Sequence, residues 1–271
     1  MSSAIARRNQ PWHGTFEIDP ETAGFWRIGP LHLWAYRAVK EWRIATIHGS
    51  DPAANIASVE IPAAADEFPA EAVMRRYGFS AAPAAISLQP MLADRPVVVS
   101  PESPLMLPSD EEITLYVSTP AWVEISIGDP PNPVLEVPLL RPSDTWFGPS
   151  TMYGELCYAV RTSARLKLEN LPVRPHRIVS TVRITNHGNT NLAFERMKIP
   201  ALQMSVYGAA DGQLWTQTVN LERYEDQRTA TVRLGSGPPP QAVDPALLHG
   251  PRLVAEKNLL TSAFSGLIPW G

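Results

Sequence analysis

Six histidines, at positions 13, 32, 48, 176, 187 and 249, are the first residues that could bind a metal or move a proton. They show neither the i, i+4 pair that sets two imidazoles over a zinc ion on one helix face nor any short spacing to acids. They read as solvated or hydrogen-bonded histidines, and no metal site is expected. The acidic clusters Asp110-Glu111-Glu112 and Glu222 to Asp226 lack the Asp-x-Asp-x-Asp-Gly loop that wraps oxygens around calcium, so they read as loop charge. No Gly-x-Ser-x-Gly elbow, no phosphate-cradling Gly-x-x-x-x-Gly-Lys loop and no dinucleotide fingerprint occurs. The enzyme case weakens and no cofactor is expected, although a nucleophile and a base could still be assembled from distant positions.

The single cysteine, Cys157, excludes an intramolecular disulfide and a thiolate zinc site built from this chain alone. It lies in the strand-like Tyr153-Gly-Glu-Leu-Cys-Tyr158, and a buried, inert thiol is expected there. From 161 to 183 the chain holds six Lys or Arg against the single Glu169. Arg161, Arg165, Arg177 and Arg183 form a candidate basic face toward a phosphate or an acidic partner. The shared parity of Arg177 and Arg183, opposite to Val182 and Ile184, equally describes a solvated sheet face. The most distinctive stretch is 144 to 155, read as a loop between strands. Its Asp144, Trp146, Phe147, Tyr153 and Glu155 form a candidate recognition loop, since exposed aromatics on loops are typical of contact surfaces. Aromatics plugging the end of a β domain would give the same composition.

Strands must position these groups. Alternation of period two places Ile113, Leu115 and Val117 on one face, and the run from Ala121 to Ile127 repeats it after Pro120. Similar runs span 31–37, 42–48, 134–139, 177–186, 202–207 and 213–219, with turn residues between nearly all of them. Proline, 28 residues spread along the chain, suits many short strands. The spacing predicts a mainly β fold, an antiparallel β-sandwich as one large or two small sandwiches. Hairpins are expected at Thr119-Pro120, at Asn186 to Asn189 and at Asp211-Gly212. The parity of Leu192 and Phe194 differs from that of Met197 and Ile199, which predicts a β-bulge near Glu195. Two segments read differently: a short helix over 71–77 inside an Ala-rich excursion, and a C-terminal helical tail over 252–264. Residues 12–234 would form the sandwich region, with a split near 130–145, and 235–271 a Pro-rich linker and tail.

The formal charge of −4 gives no global attraction for nucleic acid or anionic lipid, so no nucleic-acid partner is expected. No apolar run approaches the ~18 residues of a spanning helix, and no apolar stretch follows Arg7 and Arg8, which predicts a cytoplasmic protein without membrane insertion. The order Ile28-Gly29-Pro30-Leu31, Arg95 to Ser100, Trp146-Phe-Gly-Pro149, Tyr153-Gly-Glu155, Ile184-Thr-Asn186 and Met197-Lys-Ile-Pro200 resembles the prokaryotic, largely archaeal, domain of unknown function family 432. That resemblance transfers no catalytic residue. It implies a β fold and, through genes that neighbour mechanosensitive channels, a membrane-protein partner. The leading expectation is a non-catalytic binding or scaffold protein acting through protein contacts or self-association. The alternative is a carbohydrate-binding module or hydrolase with a cleft between sheets, motivated by eight tryptophans.

Overall fold

The computed structural model describes residues 11–63, 68–148, 152–224, 229–254, 259–262 and 264–265. The mainly β expectation is met: strands make up 53% of the chain, in several antiparallel and mixed sheets and a curled half-barrel. Among the described residues the helical turns are two three-residue 3-10 segments, Leu168–Asn170 and Ala201–Gln203. The chain divides into unit 1 (Met1–Met91, Ala121–Arg141, Arg174–His176) and unit 2 (Leu92–Pro120, Pro142–Val173, Arg177–Gly271).

Unit 1 holds β1 (Gly14–Glu17), β2 (Thr22–Ile28), β3 (Leu31–Arg37), β4 (Glu41–His48), β5 (Ala57–Ala63), β6 (Val73–Gly78), β7 (Ala85–Met91), β11 (Trp122–Ile127) and β12 (Asn132–Pro138). They form two antiparallel sheets, ordered β5-β2-β3-β4-β6 and β1-β7-β11-β12. In β3 the alternation is direct: Leu31, Leu33 and Ala35 are buried while His32, Trp34 and Tyr36 are half-buried on the other face. Gly29, with φ +54°, opens the two-residue connection from Ile28 to Leu31, a conformation that costs glycine little. Trp26 is fully buried, and Phe16 meets it edge-on at 5.3 Å. Its indole lies over Gly24, where a Cβ would sit 2.5 Å from the ring. Burying an indole of ~200 Å² at ~25 cal/mol per Å² contributes about 5 kcal/mol, so Gly24 is a condition for the core.

The short helix expected over 71–77 is absent: Val73–Gly78 is strand β6, paired with β4 from Val73 opposite Thr46 to Gly78 opposite Glu41. A segment of one or two turns has too few internal bonds to repay helix nucleation. The open edge of β4 supplies a ladder instead, reinforced where Arg76 donates to Glu41 at 2.6 Å. Residues 64–67 of that excursion lie outside the described residues.

Unit 2 contains β8 (Val97–Val99), β9 (Leu105–Leu107), β10 (Glu112–Pro120), β13 (Asp144–Phe147), β14 (Glu155–Ala159), β15 (Arg177–Asn186), β16 (Leu192–Phe194), β17 (Arg196–Ile199) and β18 (Val206–Gly208). It continues with β19 (Leu214–Trp215), β20 (Val219–Arg223), β21 (Thr229–Leu234), β22 (Ala246–His249), β23 (Leu259–Ser262) and β24 (Phe264–Ser265). The largest sheet runs β22-β18-β19-β15-β20-β21-β23, with β10 also on β15; a second runs β13-β14-β8-β17-β24, and β9 pairs β16. At its centre β15 takes β10 antiparallel over nine residue pairs and β19 and β20 in parallel.

Several turn expectations are corrected. Thr119-Pro120 is no hairpin, because β10 pairs β15 while β11 pairs β7 and β12. Asn186 to Asn189 is no hairpin either: β15 ends at Asn186 and β16 pairs β9. Asp211-Gly212 does close the β18–β19 hairpin, with Gly212 at φ +83°. Near Glu195 the chain changes partner from β9 to β8, so Leu192, Phe194, Met197 and Ile199 are all buried without a bulge in one ladder. The C-terminal helix is absent: β22, β23 and β24 pair β18, β21 and β17. Leu253, within the stretch expected to be helical, is exposed. Residues 255–258 and 263 of that stretch lie outside the described residues.

Candidate functional site

The stretch expected to be a recognition loop is a hairpin. Strands β13 and β14 pair antiparallel, with Trp146 opposite Leu156 and Phe147 opposite Glu155. Strand alternation divides its residues between two roles. Phe147 is buried with Val98 and Cys157, and the cationic groups of Arg196 and Lys198 lie 5.6 and 5.8 Å from its ring centre. Glu155, on the Phe147 face, is ion-paired with the largely buried Lys198. The opposite face carries Asp144, which meets Arg95 at 3.2 Å, and Trp146, 41% exposed, beside Leu156 at 44%; the loop residues Met152 and Tyr153 are 83% and 70% exposed.

The exposed indole has a fixed seat. A Cβ on Gly154 would lie 2.5 Å from Trp146 Nε1 and 2.7 Å from the Phe147 carbonyl, and a Cβ on Gly148 would collide with the Tyr153 carbonyl. Arg196 Nη2 donates to the Trp146 carbonyl at 2.9 Å and to Thr145 Oγ1 at 3.1 Å. Of the tryptophans in or near the strands, Trp26, Trp42 and Trp215 are buried, Trp34 and Trp122 half-buried, and Trp146 exposed. Trp34 stacks on Phe25 at 4.7 Å. The sequence reading did not single out Met152 or Leu156; the parity of Trp146 with its cross-strand neighbour is the signal that finds Leu156.

Cys157 is fully buried, its thiol pushed up to about 11, first by burial and then by the Glu155 carboxylate. Such a thiol stays protonated at neutral pH and is a poor nucleophile. The four arginines of the candidate basic face go to separate places. Arg161 is exposed in a bend, Arg165 is ion-paired with Glu102, and Arg183 meets Glu112 at 3.3 Å. Arg177 is buried and donates to Ser118 Oγ at 2.7 Å.

A third arrangement is structural. The fully buried Asn186 donates to the carbonyls of Leu107, Pro108 and Thr190 at 2.9–3.0 Å and accepts from Gly188 N and Arg223 Nη1. Arg223 also donates to Thr190 O and Oγ1. One side chain thus ties the end of β15 to the end of β9 and to the chain at Thr190, satisfying backbone groups of all three.

Unit 1 holds a cleft of about 320 Å³ at the end of β4. It exists because β4 outruns β6: the last β4–β6 pair is Thr46 with Val73, leaving Ile47 and His48 beyond it. His48 faces β12, its Nε2 2.7 Å from the Pro138 carbonyl, which fits Nε2–H as donor. Burial first, and then Arg141, lower its pKa. Arg75, Arg141 and Glu71 supply charge around an apolar floor that includes Leu135 and Val137. Sequence spacing could not reveal this set, since three separate elements contribute it. The other histidines are dispersed; His187 stacks on Tyr224 and His176 is buried against Gly29. Among the described residues no three His, Cys, Asp or Glu side chains converge as metal ligands, and no helix is long and apolar enough to cross a membrane.

No curated protein and no solved structure matches the chain. The model of one family spans nearly all of it, residues 12–269, including every element of the resemblance noted above. The chain therefore belongs to the family described as Protein of unknown function (DUF432).

Proposed function

We propose that this chain is a non-catalytic binding protein that docks a protein partner through the β13–β14 hairpin. The observation that carries the reading is Trp146, an exposed indole seated on Gly154 with Leu156 opposite it across the ladder. Rigid aromatic anchors lose little conformational entropy on binding and dominate interface energetics. Tyr153 and Met152 extend the apolar contact, and the Asp144–Arg95 pair supplies a polar margin. The partner that fits is a protein with an apolar pocket for the indole. Self-association through β13 fits less well, because a four-residue edge strand buries far less than the roughly 1,000 Å² of a stable interface. The alternative of a sugar-stacking surface finds less support, since Trp26, Trp42 and Trp215 are buried.

The test is photocrosslinking from a benzophenone amino acid placed at Tyr153, followed by direct binding of the purified partner so found. Trp146→Ala with Tyr153→Ala should weaken that binding at least about 30-fold, the loss of one to two interface anchors. Val173→Ala, at another exposed apolar residue, should leave it unchanged. Undiminished binding by a stably folded double variant would sink the reading.

A further inference from the structure

The cleft of unit 1 opens where β4 runs on past β6 beside the edge of β12. Cross-strand partners share a face, so Arg75 and Val73 of β6 lie on the side of Ile44 and Thr46, the side on which Trp42 and Ile44 are buried. Leu135 and Val137 of β12 lie on the side of Ile125 and Val123, their buried partners in β11. Glu136 alternates with them, so its side chain leaves on the opposite face of β12 and adds no charge to this floor. What remains is two guanidinium groups, Arg75 and Arg141, against the single carboxylate of Glu71. Neither arginine has a carboxylate ion pair among the described residues, whereas Arg43 and Arg76, on the other face of the sheet, are both taken by Glu41, each at 2.6 Å. Arg75 bonds the Tyr77 hydroxyl and keeps further donors on its fork. Arg141 stands near enough to His48 for its charge to lower the pKa of the imidazole.

A backbone donor completes the arrangement. Ala38 N donates to Glu41 O and Gly49 N to Pro30 O, so the odd-numbered residues of β4 bond toward β3. The even-numbered ones turn toward β6, as the bond from Phe79 N to Lys40 O shows at the other end of the ladder. Strand β6 begins at Val73, opposite Thr46, and no strand residue stands opposite His48. The His48 N–H is thereby turned into the cleft.

We infer that this cleft binds a short aliphatic carboxylate, its carboxylate group held by Arg75, Arg141 and the His48 amide and its chain lying along Val73, Leu135 and Val137. Guanidinium groups left free of protein carboxylates suit a ligand carboxylate, with their several donors in a fixed plane. An inorganic anion would leave the apolar groups uncovered, and a sugar would find no Trp, Tyr or Phe on the lining to stack against. A volume of about 320 Å³ sits at the small end of ligand clefts, which run from about 300 to 1,000 Å³. The walls are held before any ligand arrives: the His48–Pro138 bond ties the end of β4 to β12, so little ordering is needed on binding.

The probe is hexanoate, titrated into the isotopically labelled full chain, with hexanamide as the form lacking the charge and acetate as the form lacking the chain. Hexanoate should give saturable shifts of the His48 and Val137 amides, and each control should bind about tenfold more weakly, one for the lost charged contact and the other for the lost apolar burial. Arg75→Gln with Arg141→Gln should weaken hexanoate about tenfold or more with thermal unfolding unchanged, both side chains being exposed. Glu71→Gln should tighten it about twofold, since the one opposing carboxylate is removed. Arg161→Gln, at an exposed arginine in unit 2, should leave it unchanged. The inference is overturned if no saturable shift appears at those amides, if hexanamide or acetate binds as tightly as hexanoate, or if the stably folded double arginine variant binds undiminished.

Discussion

The interior of unit 1 is filled by rings and aliphatic groups, with Trp26 and Trp42 wholly enclosed and Ser87, Ser126 and His176 the buried polar residues among those described. The interior of unit 2 carries Arg177, Asn186, Lys198, Gln213, Thr216, Gln217 and Arg223, several joined in networks. The two differ in connectivity as well. In unit 1 the strands β2, β3 and β4 follow one another and pair with their neighbours. In unit 2 the central β15 pairs with β10, β19 and β20, none of them adjacent to it in sequence. Neighbouring strands find their register through short turns, and apolar alternation then suffices to bury the correct face. Strands brought from afar have no turn to set register, and hydrogen bonds that close in only one alignment can do so.

This contrast can be broken by mutation. The largest effect is expected in the ring-filled core: Trp26→Ala should cost about 3–5 kcal/mol in urea unfolding, from the lost indole and the cavity it leaves. Next comes the polar knot, where Asn186→Ala removes the bonds to the Leu107 and Pro108 carbonyls and the acceptor of the Gly188 amide and of Arg223, and should cost about 3 kcal/mol. Its counterpart in unit 1, Ser87→Ala, removes one hydroxyl contact, to Thr15, and should cost under about 1 kcal/mol. Equal losses for the two would mean that buried polar groups specify unit 2 no more than unit 1. Gly154→Ala should cost about 1–3 kcal/mol by driving a methyl into Trp146 and the Phe147 carbonyl, and should alter Trp146 fluorescence. The exposed pair Trp146→Ala with Tyr153→Ala should move stability by no more than about 1 kcal/mol, which separates the contact surface from the core beneath it.

The effects of pH in the two units oppose each other. Cys157 in unit 2 has a pKa raised from 9.0 to about 11, so the fold favours its neutral thiol. Its contribution to stability is full below pH 9 and is lost as pH rises toward 11, where alkylation by iodoacetamide should accelerate. In unit 1 burial lowers the pKa of His13, His32 and His48 from 6.5, so the fold favours neutral imidazole. Their contribution is full above pH 6.5 and is lost below it, which amide exchange of β4 between pH 7 and 5 should register. Faster exchange on raising pH, after correction for the intrinsic rate, would reverse the assignment.

Much of the strand content was legible because it is local. The alternations in β3, β4, β10 and β15 mark strands whatever their neighbours, and Asp211-Gly212 closes a hairpin since the turn residues and both strands lie within ten positions. The failures share one cause. Thr119-Pro120 and Asn186 to Asn189 have turn chemistry, yet turn chemistry fixes a change of direction and not the strand that follows. Val73–Gly78 and Leu259–Ser262 became strands because a free sheet edge lay beside them, a fact no window of sequence contains. Within the hairpin, the stretch that mattered could be seen as aromatic and glycine-rich. Its division into a buried Phe147 and an exposed Trp146 needed the ladder.

By itself the sequence determined a mainly β chain with one cysteine, without nucleotide-loop or nucleophile-elbow motifs, and with an aromatic stretch at 144 to 155. These follow from residue type and short-range periodicity, which act within a few residues of chain. Only the tertiary structure decided which strands pair, that Arg177 and Arg223 are buried while Arg75 and Arg141 face a cleft, and that one exposed indole is seated on Gly154. Those outcomes depend on contacts between residues tens of positions apart, and no local pattern encodes which distant partner a strand will meet.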